Sequence, residues 1–279
     1  INPASMEPFI EIAILYALPL WVGGLVFTLT LLIALEAGYR MGLMHRATWK
    51  DADSGGGNIV LSSMFALLGL VLAFTYASGV SRHDARKQAV STEVNALGTA
   101  FQWADIVVEP GRTELKNALL DYARTRLFHP GSLKSIEERK AAVATTLAQQ
   151  SRIWPATKRV VAQDNPVPME AALVAAINAV LDAHSIRLAA VLDTLPKVVM
   201  WMLLFVASAS LSVAGYNAGI QGRMSRWRMS ALTLVLAALM LVVLDFDRPL
   251  AGMITVKQQG IASVISQMEA DLNQSSENL

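Results

Sequence analysis

The chain has 279 residues, of which 54% are hydrophobic, 16% charged and 7% aromatic, against roughly 45–50% apolar and 25% charged in an average soluble domain. That much apolar residue excludes a disordered chain, and the lack of cysteine excludes a disulfide-stapled scaffold and a cysteine-ligated metal or iron–sulfur centre. Lys+Arg 23 against Asp+Glu 22 leaves a formal charge of +1, so no global basic field recruits nucleic acid, and any electrostatic function is local.

A helix crossing a hydrocarbon core of about 30 Å needs roughly 20 mostly apolar residues. Four runs meet that need. The first, Phe9 to Leu35, is interrupted by Glu11 and by Pro19-Leu20-Trp21-Val22-Gly23-Gly24, where a kink is expected. Its leading residues, Glu7 and Glu11, are acidic rather than basic, which argues against a cleaved signal peptide. The second, Ile59 to Val80, carries no charge, and the third, Pro196 to Ala214, opens with Lys197 and is uncharged from there on. The fourth, Met229 to Leu244, is short and needs Phe246 or its Arg226-Trp227-Arg228 entry to complete a crossing.

Between the second and third spans the period is helical. Val90, Val94, Leu97 and Phe101 recur at i, i+4, i+7 and i+11, and Leu115, Leu119 and Tyr122 resume after a break at Glu109-Pro110-Gly111. A second break falls at His129-Pro130-Gly131-Ser132, followed by a helix from Leu133 to about Gln150. After Gln163-Asp164-Asn165-Pro166 a long helix runs from Val167 towards Leu195, with Leu173, Ile177, Val180, Leu188 and Val191 inward. Only Gly79 stands between Ala77 and Val94 as a breaker, so the second span should leave the membrane as one helix to about Trp103. That rod would link membrane and soluble domain mechanically.

The expected fold is therefore an all-α membrane protein, with four transmembrane helices in two hairpins and a helical soluble domain inserted between the second and third spans. Residues 1–58 form the first transmembrane helix and a short loop, 59–80 the second transmembrane helix, and 81–195 the helical domain. Residues 196–246 form the third and fourth transmembrane helices, and 247–279 a C-terminal tail. The short loops carry Arg40, Arg46, Lys50, Arg223, Arg226 and Arg228, and the opposite face carries Arg82, Arg86, Lys87, Arg187, Lys197, Arg248 and Lys257, so charge leaves the orientation balanced.

No catalytic constellation is evident. The histidines, His45, His83, His129 and His184, are scattered without a metal-binding spacing, and Gly55-Gly56-Gly57 lacks the Lys-Ser/Thr of a phosphate loop, so no catalytic residue, metal site or cofactor is expected. His184 lies on an apolar helix face and reads as a hydrogen-bonded core histidine. Permeation needs a line of small or polar side chains through the membrane. Ser62, Ala66, Gly69, Ala73 and Ala77 follow helical spacing on the second span, with Phe65, Leu72 and Phe74 able to constrict it, while Ser208, Ser212, Gly215 and Gly219 form a similar line on the third. Small-xxx-small spacing serves close helix packing equally well. Arg82, Asp84, Arg86 and Lys87 cluster where the second helix leaves the bilayer. Asp245, Asp247 and Arg248 end the fourth span, either as structural pairs or as a charged ring at a pore mouth. Glu36 and Arg40 read as a local ion pair.

Several segments carry a resemblance. Glu36-x-Gly38-Tyr39-Arg40, Ala73-Phe74-Thr75, Glu93-x-Asn95-Ala96-Leu97-Gly98-Thr99-Ala100, Gly215-Tyr216 and Asp245-x-Asp247-Arg248-Pro249 resemble the bestrophin-like family of bacterial membrane proteins. Leu68-Gly69-Leu70-Val71-Leu72-Ala73-Phe74 followed by Ser81-Arg82-His83-Asp84-Ala85-Arg86-Lys87 is similar, more distantly, to the pore-helix exit of bestrophin ion channels. His83 and Asp84 stand near the place of the tandem tryptophans of true bestrophins.

The resemblance implies a passive ion channel built as a cyclic homo-oligomer, pentameric in true bestrophins, in the cell (inner) membrane, with the lipid bilayer and inorganic ions as its other partners. It further implies a pore lined by Ser62, Phe65, Ala66, Gly69, Leu72, Ala73 and Tyr76, and it places both termini and the helical domain in the cytoplasm. The competing reading is a membrane sensor or scaffold whose helical domain binds a ligand or partner without conduction.

Overall fold

The computed structural model describes residues 19–46, 55–127, 136–163, 165–248 and 252–277. Among these the regular structure is helical throughout: α1 (Leu20–His45), α2 (Gly55–Asp105), α3 (Gly111–Thr125), α4 (Ile136–Val161), α5 (Val167–Leu192), α6 (Lys197–Gln221), α7 (Arg226–Phe246) and α8 (Gln259–Glu277). Four stretches are long and apolar enough to cross a membrane, Leu20–His45, Gly57–Asp105, Val167–Gln221 and Arg226–Phe246. The third includes both α5 and α6, and its uncharged part is α6 after Lys197.

The first span continues further along the chain than expected. Pro19 precedes the first turn of α1, a position where its missing N–H costs nothing, and the helix runs ten residues past Leu35. From Leu20 through Gly24 the helix is unbroken, and Phe9 to Leu18, on which the expected kink at Pro19 to Gly24 also rests, fall outside the described residues. α7 takes in both the Arg226-Trp227-Arg228 entry and Phe246, giving 21 residues.

α2 is one uninterrupted helix of 51 residues, about 75 Å at 1.5 Å per residue. Its membrane half contributes Leu68 to a core with Phe27, Leu31, Leu35, Leu203, Leu211, Ala237 and Met240. Its outer half contributes Val90, Leu97, Phe101 and Ala104 to a second core with Leu115, Leu119, Ile153, Leu173, Ile177 and Val180. The outer core excludes water from apolar side chains, worth about 1.5–3 kcal/mol for each large one. The membrane core relies on close packing instead, because lipid tails are as apolar as leucine.

The packing between helices has three features that position the site. α1 lies most extensively against α6 and less so against α7, while α2 runs along α5, α6 and α7. α4 continues eleven residues beyond Gln150, through Pro155, because Ile153, Ala156 and Val160 are buried on its inner face and outweigh the lost backbone bond. The tail is not a simple extension. α8 folds back on α2 and α3, burying Ile261, Val264, Ile265 and Met268, while Arg124 donates to Glu269 at 2.8 and 3.1 Å. Lys116, fully buried over the Phe101 ring, bonds Asp105 at 2.7 Å and also Asp271, so one ammonium joins α2, α3 and α8. Burial opposes the charge of Lys116, but the two carboxylates outweigh it and hold its pKa above the usual lysine value.

Candidate functional site

The two small-residue lines behave differently. On α6, a Cβ added at Gly215 would overlap the Leu35 carbonyl, and one at Gly219 the Tyr39 carbonyl; across the seam, Gly38 and Gly42 meet the backbone of Ser212 and Tyr216 in the same way. Ser212 Oγ donates to the Ala34 carbonyl at 2.9 Å. This line is helix packing, in which four glycines let α1 and α6 approach backbone to backbone. On α2, by contrast, a Cβ added at Gly69 meets nothing within 4 Å.

The α2 line extends well beyond the membrane with a period of eleven residues. Ser62, Ala73, Asp84 and Asn95 form one row, Ala66, Ala77, Gln88 and Thr99 a second, and Gly69, Val80, Ser91 and Gln102 a third; all are exposed except half-buried Val80. Eleven residues make three turns at 3.67 per turn, so the rows stay on one side of a gently supercoiled helix. Small side chains occupy the membrane half and uncharged polar ones most of the outer half, where Asp84 supplies the one charge on the three rows. Large apolar residues that would suit lipid, Leu67, Leu70 and Phe74, lie to one flank and are more than half exposed.

The expected lining residues therefore divide. Ser62, Ala66, Gly69 and Ala73 share the uncovered face, and the Ser62 hydroxyl is satisfied by the Asn58 carbonyl at 2.7 Å. Phe65 and Leu72 turn the other way and pack on the membrane core. Phe74 stands exposed on the flank, and Tyr76 packs edge-on against Phe246, ring centroids 5.6 Å apart.

The charged set divides as well. Asp84 is on the uncovered face. Arg86 is buried and donates to three carbonyls, Ala190 at 3.1 Å, Asp193 at 2.8 Å and Phe246 at 2.7 Å, which serve the C-terminal ends of α5 and α7. Helix ends leave carbonyls without partners, and this guanidinium supplies them. Arg82 bonds Ser78 at 2.6 Å and pairs with Asp193 at 3.3 Å. Asp245 is 3% exposed and accepts from the amides of Met253 at 3.0 Å and Ile254 at 2.9 Å; Asp247 accepts from the Leu195 amide at 2.6 Å, and Arg248 is buried beside them. These groups hold the joint between spans and outer helices, and both aspartates accept hydrogen bonds from backbone amides there.

A polar node that sequence reasoning missed lies deeper in the outer helices. Glu93 has no solvent exposure and takes Arg126 Nε at 2.7 Å, Arg187 Nη1 at 2.5 Å and the Tyr122 hydroxyl at 2.7 Å. The single tyrosine proton goes to Glu93, so the His184 Nδ1, 3.0 Å from the same oxygen, is the donor there. Burial would raise the Glu93 pKa, but the two guanidiniums reverse it and hold the carboxyl below its usual range. Burial, reinforced by Arg126 and Arg187, pushes His184 down to about 4, so it is neutral at pH 7. Burial raises the Tyr122 pKa. The expectation for His184, a bonded core histidine, holds. The signal for its partners was a carboxylate inside the apolar row of Val90, Val94 and Leu97, and Arg187 three residues after His184.

No group of side chains suited to a metal ion occurs among the described residues. A family model for the Bestrophin-like domain matches residues 21–261. No curated protein matches the chain. Among solved structures, a point variant of a bacterial bestrophin homologue from Klebsiella pneumoniae superposes with a TM-score of 0.60 at 9% identity, covering 86% of this chain and 98% of that one. A second variant of that homologue gives 0.55 at 10% identity, covering 87% and 95%. A structure titled simply as a membrane protein, also a point variant, gives 0.62 at 9% identity, covering 90% and 97%. Together with the four apolar stretches, these define an all-helical membrane protein of bestrophin-like fold. The chain belongs to the Bestrophin-like family.

Proposed function

We infer that this chain is the subunit of an oligomeric ion channel, conducting passively along the uncovered face of α2. The observation that carries the reading is the composition of that face, small within the membrane half and polar beyond it, with no helix among the described residues laid over it. A symmetric ring of copies would turn the face towards a common axis, and the eleven-residue period would keep it there for the length of α2. Ser62, Ala66, Gly69 and Ala73 line the pore in this reading, Phe74 and Tyr76 stand at its flanks, and Phe65 and Leu72 back it from the bundle. Asp84 is the charge at the mouth, while Arg82, Arg86, Asp245, Asp247 and Arg248 secure the joint around it. The family match and the bestrophin homologue among the similar structures support a channel type. The reading takes the assembly as a cyclic homo-oligomer such as a pentamer, with two membrane hairpins joined through the outer domain, in the inner membrane with that domain in the cytoplasm.

Purified oligomer reconstituted in a planar bilayer under an asymmetric salt gradient should give single-channel steps with a reversal potential set by one ion sign. Silent bilayers across voltage and pH, from protein shown to be assembled, would contradict conduction and favour the sensor or scaffold reading.

A further inference from the structure

The glycine seam between α1 and α6 also brings together the helix ends opposite the outer domain. α1 leaves the seam through Arg40, Met44 and Arg46, while α6 stops at Gly222, whose φ of 68° permits the left-handed cap, and turns through Arg223 into Arg226, Trp227 and Arg228 of α7. A Cβ added at Gly222 would overlap the Arg46 guanidinium, so that cation lies directly over the carbonyl end of α6, where the helix dipole favours it. Glu36 sits between two of the others, 3.0 Å from Arg40 and 3.7 Å from Arg226, and the Arg226 guanidinium stands 6.0 Å from the centre of the Tyr39 ring. Arg40, Arg46, Arg223, Arg226 and Arg228 are all exposed, and Glu36 is the one carboxylate at this end among the described residues. Beside them Trp227 is 79% and Met44 72% exposed.

Five arginines against one carboxylate among the described residues, with an amphipathic indole and an apolar side chain at the end of the spans, match one kind of partner. We propose that this face is a binding site for an anionic phospholipid, the arginines holding its headgroup phosphate while Trp227 and Met44 meet the glycerol region and upper acyl chains. Guanidinium suits phosphate through paired donors, and tryptophan suits the headgroup boundary. The proposal is independent of conduction; it needs only that the four apolar helices lie in a bilayer.

Native mass spectrometry of the protein in neutral detergent, with equal additions of dioleoyl phosphatidylglycerol and dioleoyl phosphatidylcholine, reads the preference directly. Phosphatidylglycerol should be retained over phosphatidylcholine, and Arg228→Gln should weaken its retention about fivefold, as expected for one basic residue at an anionic headgroup. A triple change, Arg223→Gln, Arg226→Gln and Arg228→Gln, should abolish the preference. Lys87→Gln with Lys197→Gln, which removes charge from the other end of the spans, should leave it. Equal retention of the two lipids, equal loss in the control pair, or an unaltered preference in a folded Arg228→Gln protein would overturn the site. Displacement of the lipid by equimolar glycerol phosphate would overturn a lipid as its occupant.

Discussion

Glu93→Ala is expected to destabilise the outer helices more than any other single polar change, by about 3–5 kcal/mol. The carboxylate has no solvent exposure and is shared by Arg126 and Arg187, so its removal takes a buried anion from between two buried guanidiniums and leaves their like charges close together. Tyr122 would lose its acceptor, and the His184 bond to the tyrosine oxygen would lose its fixed direction. Because α2, α3 and α5 meet at this node, the loss should appear as cooperative melting, with a midpoint lower by ~10 °C in thermal circular dichroism of the solubilised protein. A companion measurement separates charge imbalance from lost packing. Glu93→Met combined with Arg126→Met and Arg187→Leu removes all three charges together, and should cost far less than Glu93→Ala alone. Equal melting of the two proteins would show that the ion pairing does not hold these helices.

Gly215→Ala is the second large effect, because one methyl group must enter the space of the Leu35 carbonyl and of the Tyr39 amide, 2.9 Å away. Neither is a flexible side chain that can swing aside. The seam must open along its length, at a cost of about 1–3 kcal/mol or more, as for other overpacked interfaces. Gly69→Ala is the matched control: it adds the same methyl where nothing lies within 4 Å, and alanine is a better helix former by about 1 kcal/mol. Melting of the two variants in the same detergent should fall for Gly215→Ala and hold or rise for Gly69→Ala. Equal destabilisation would mean that the α2 line is buried against another surface in the protein as it exists in solution.

The readable part of the fold was the part governed by local periodicity. Uncharged runs announced the spans, and the lack of a breaker after Ala77 announced the long α2. The C-terminal helix was also legible in principle, since Ile261, Val264, Ile265 and Met268 fall on one face, but its short amphipathic pattern follows the last span and was read as tail. What periodicity could not supply was pairing at a distance. Two lines of small residues look alike in sequence, and only the neighbour across the gap distinguishes Gly215, pressed on Leu35, from Gly69, facing open space. The same applies to charge. Arg86, Arg187 and Asp245 look like surface residues at the membrane boundary, yet each is buried because carbonyls, a carboxylate or amides from distant segments converge on it. In the candidate site, alternation identified which α2 residues share a face, whereas the inward turn of Phe65 and Leu72 followed from where α2 meets the membrane core.

The central claim, that the three rows of α2 line a water-filled path, is tested most directly by thiol accessibility. The chain contains no cysteine, so single substitutions report cleanly. In reconstituted bilayers, a charged water-soluble methanethiosulfonate should block current through Ser62→Cys, Ala66→Cys, Ala73→Cys and Ala77→Cys, recurring at the eleven-residue interval. It should spare Leu67→Cys and Phe205→Cys, which are exposed away from the face. Block at Leu67→Cys and Phe205→Cys with the four face positions unreactive would contradict the account.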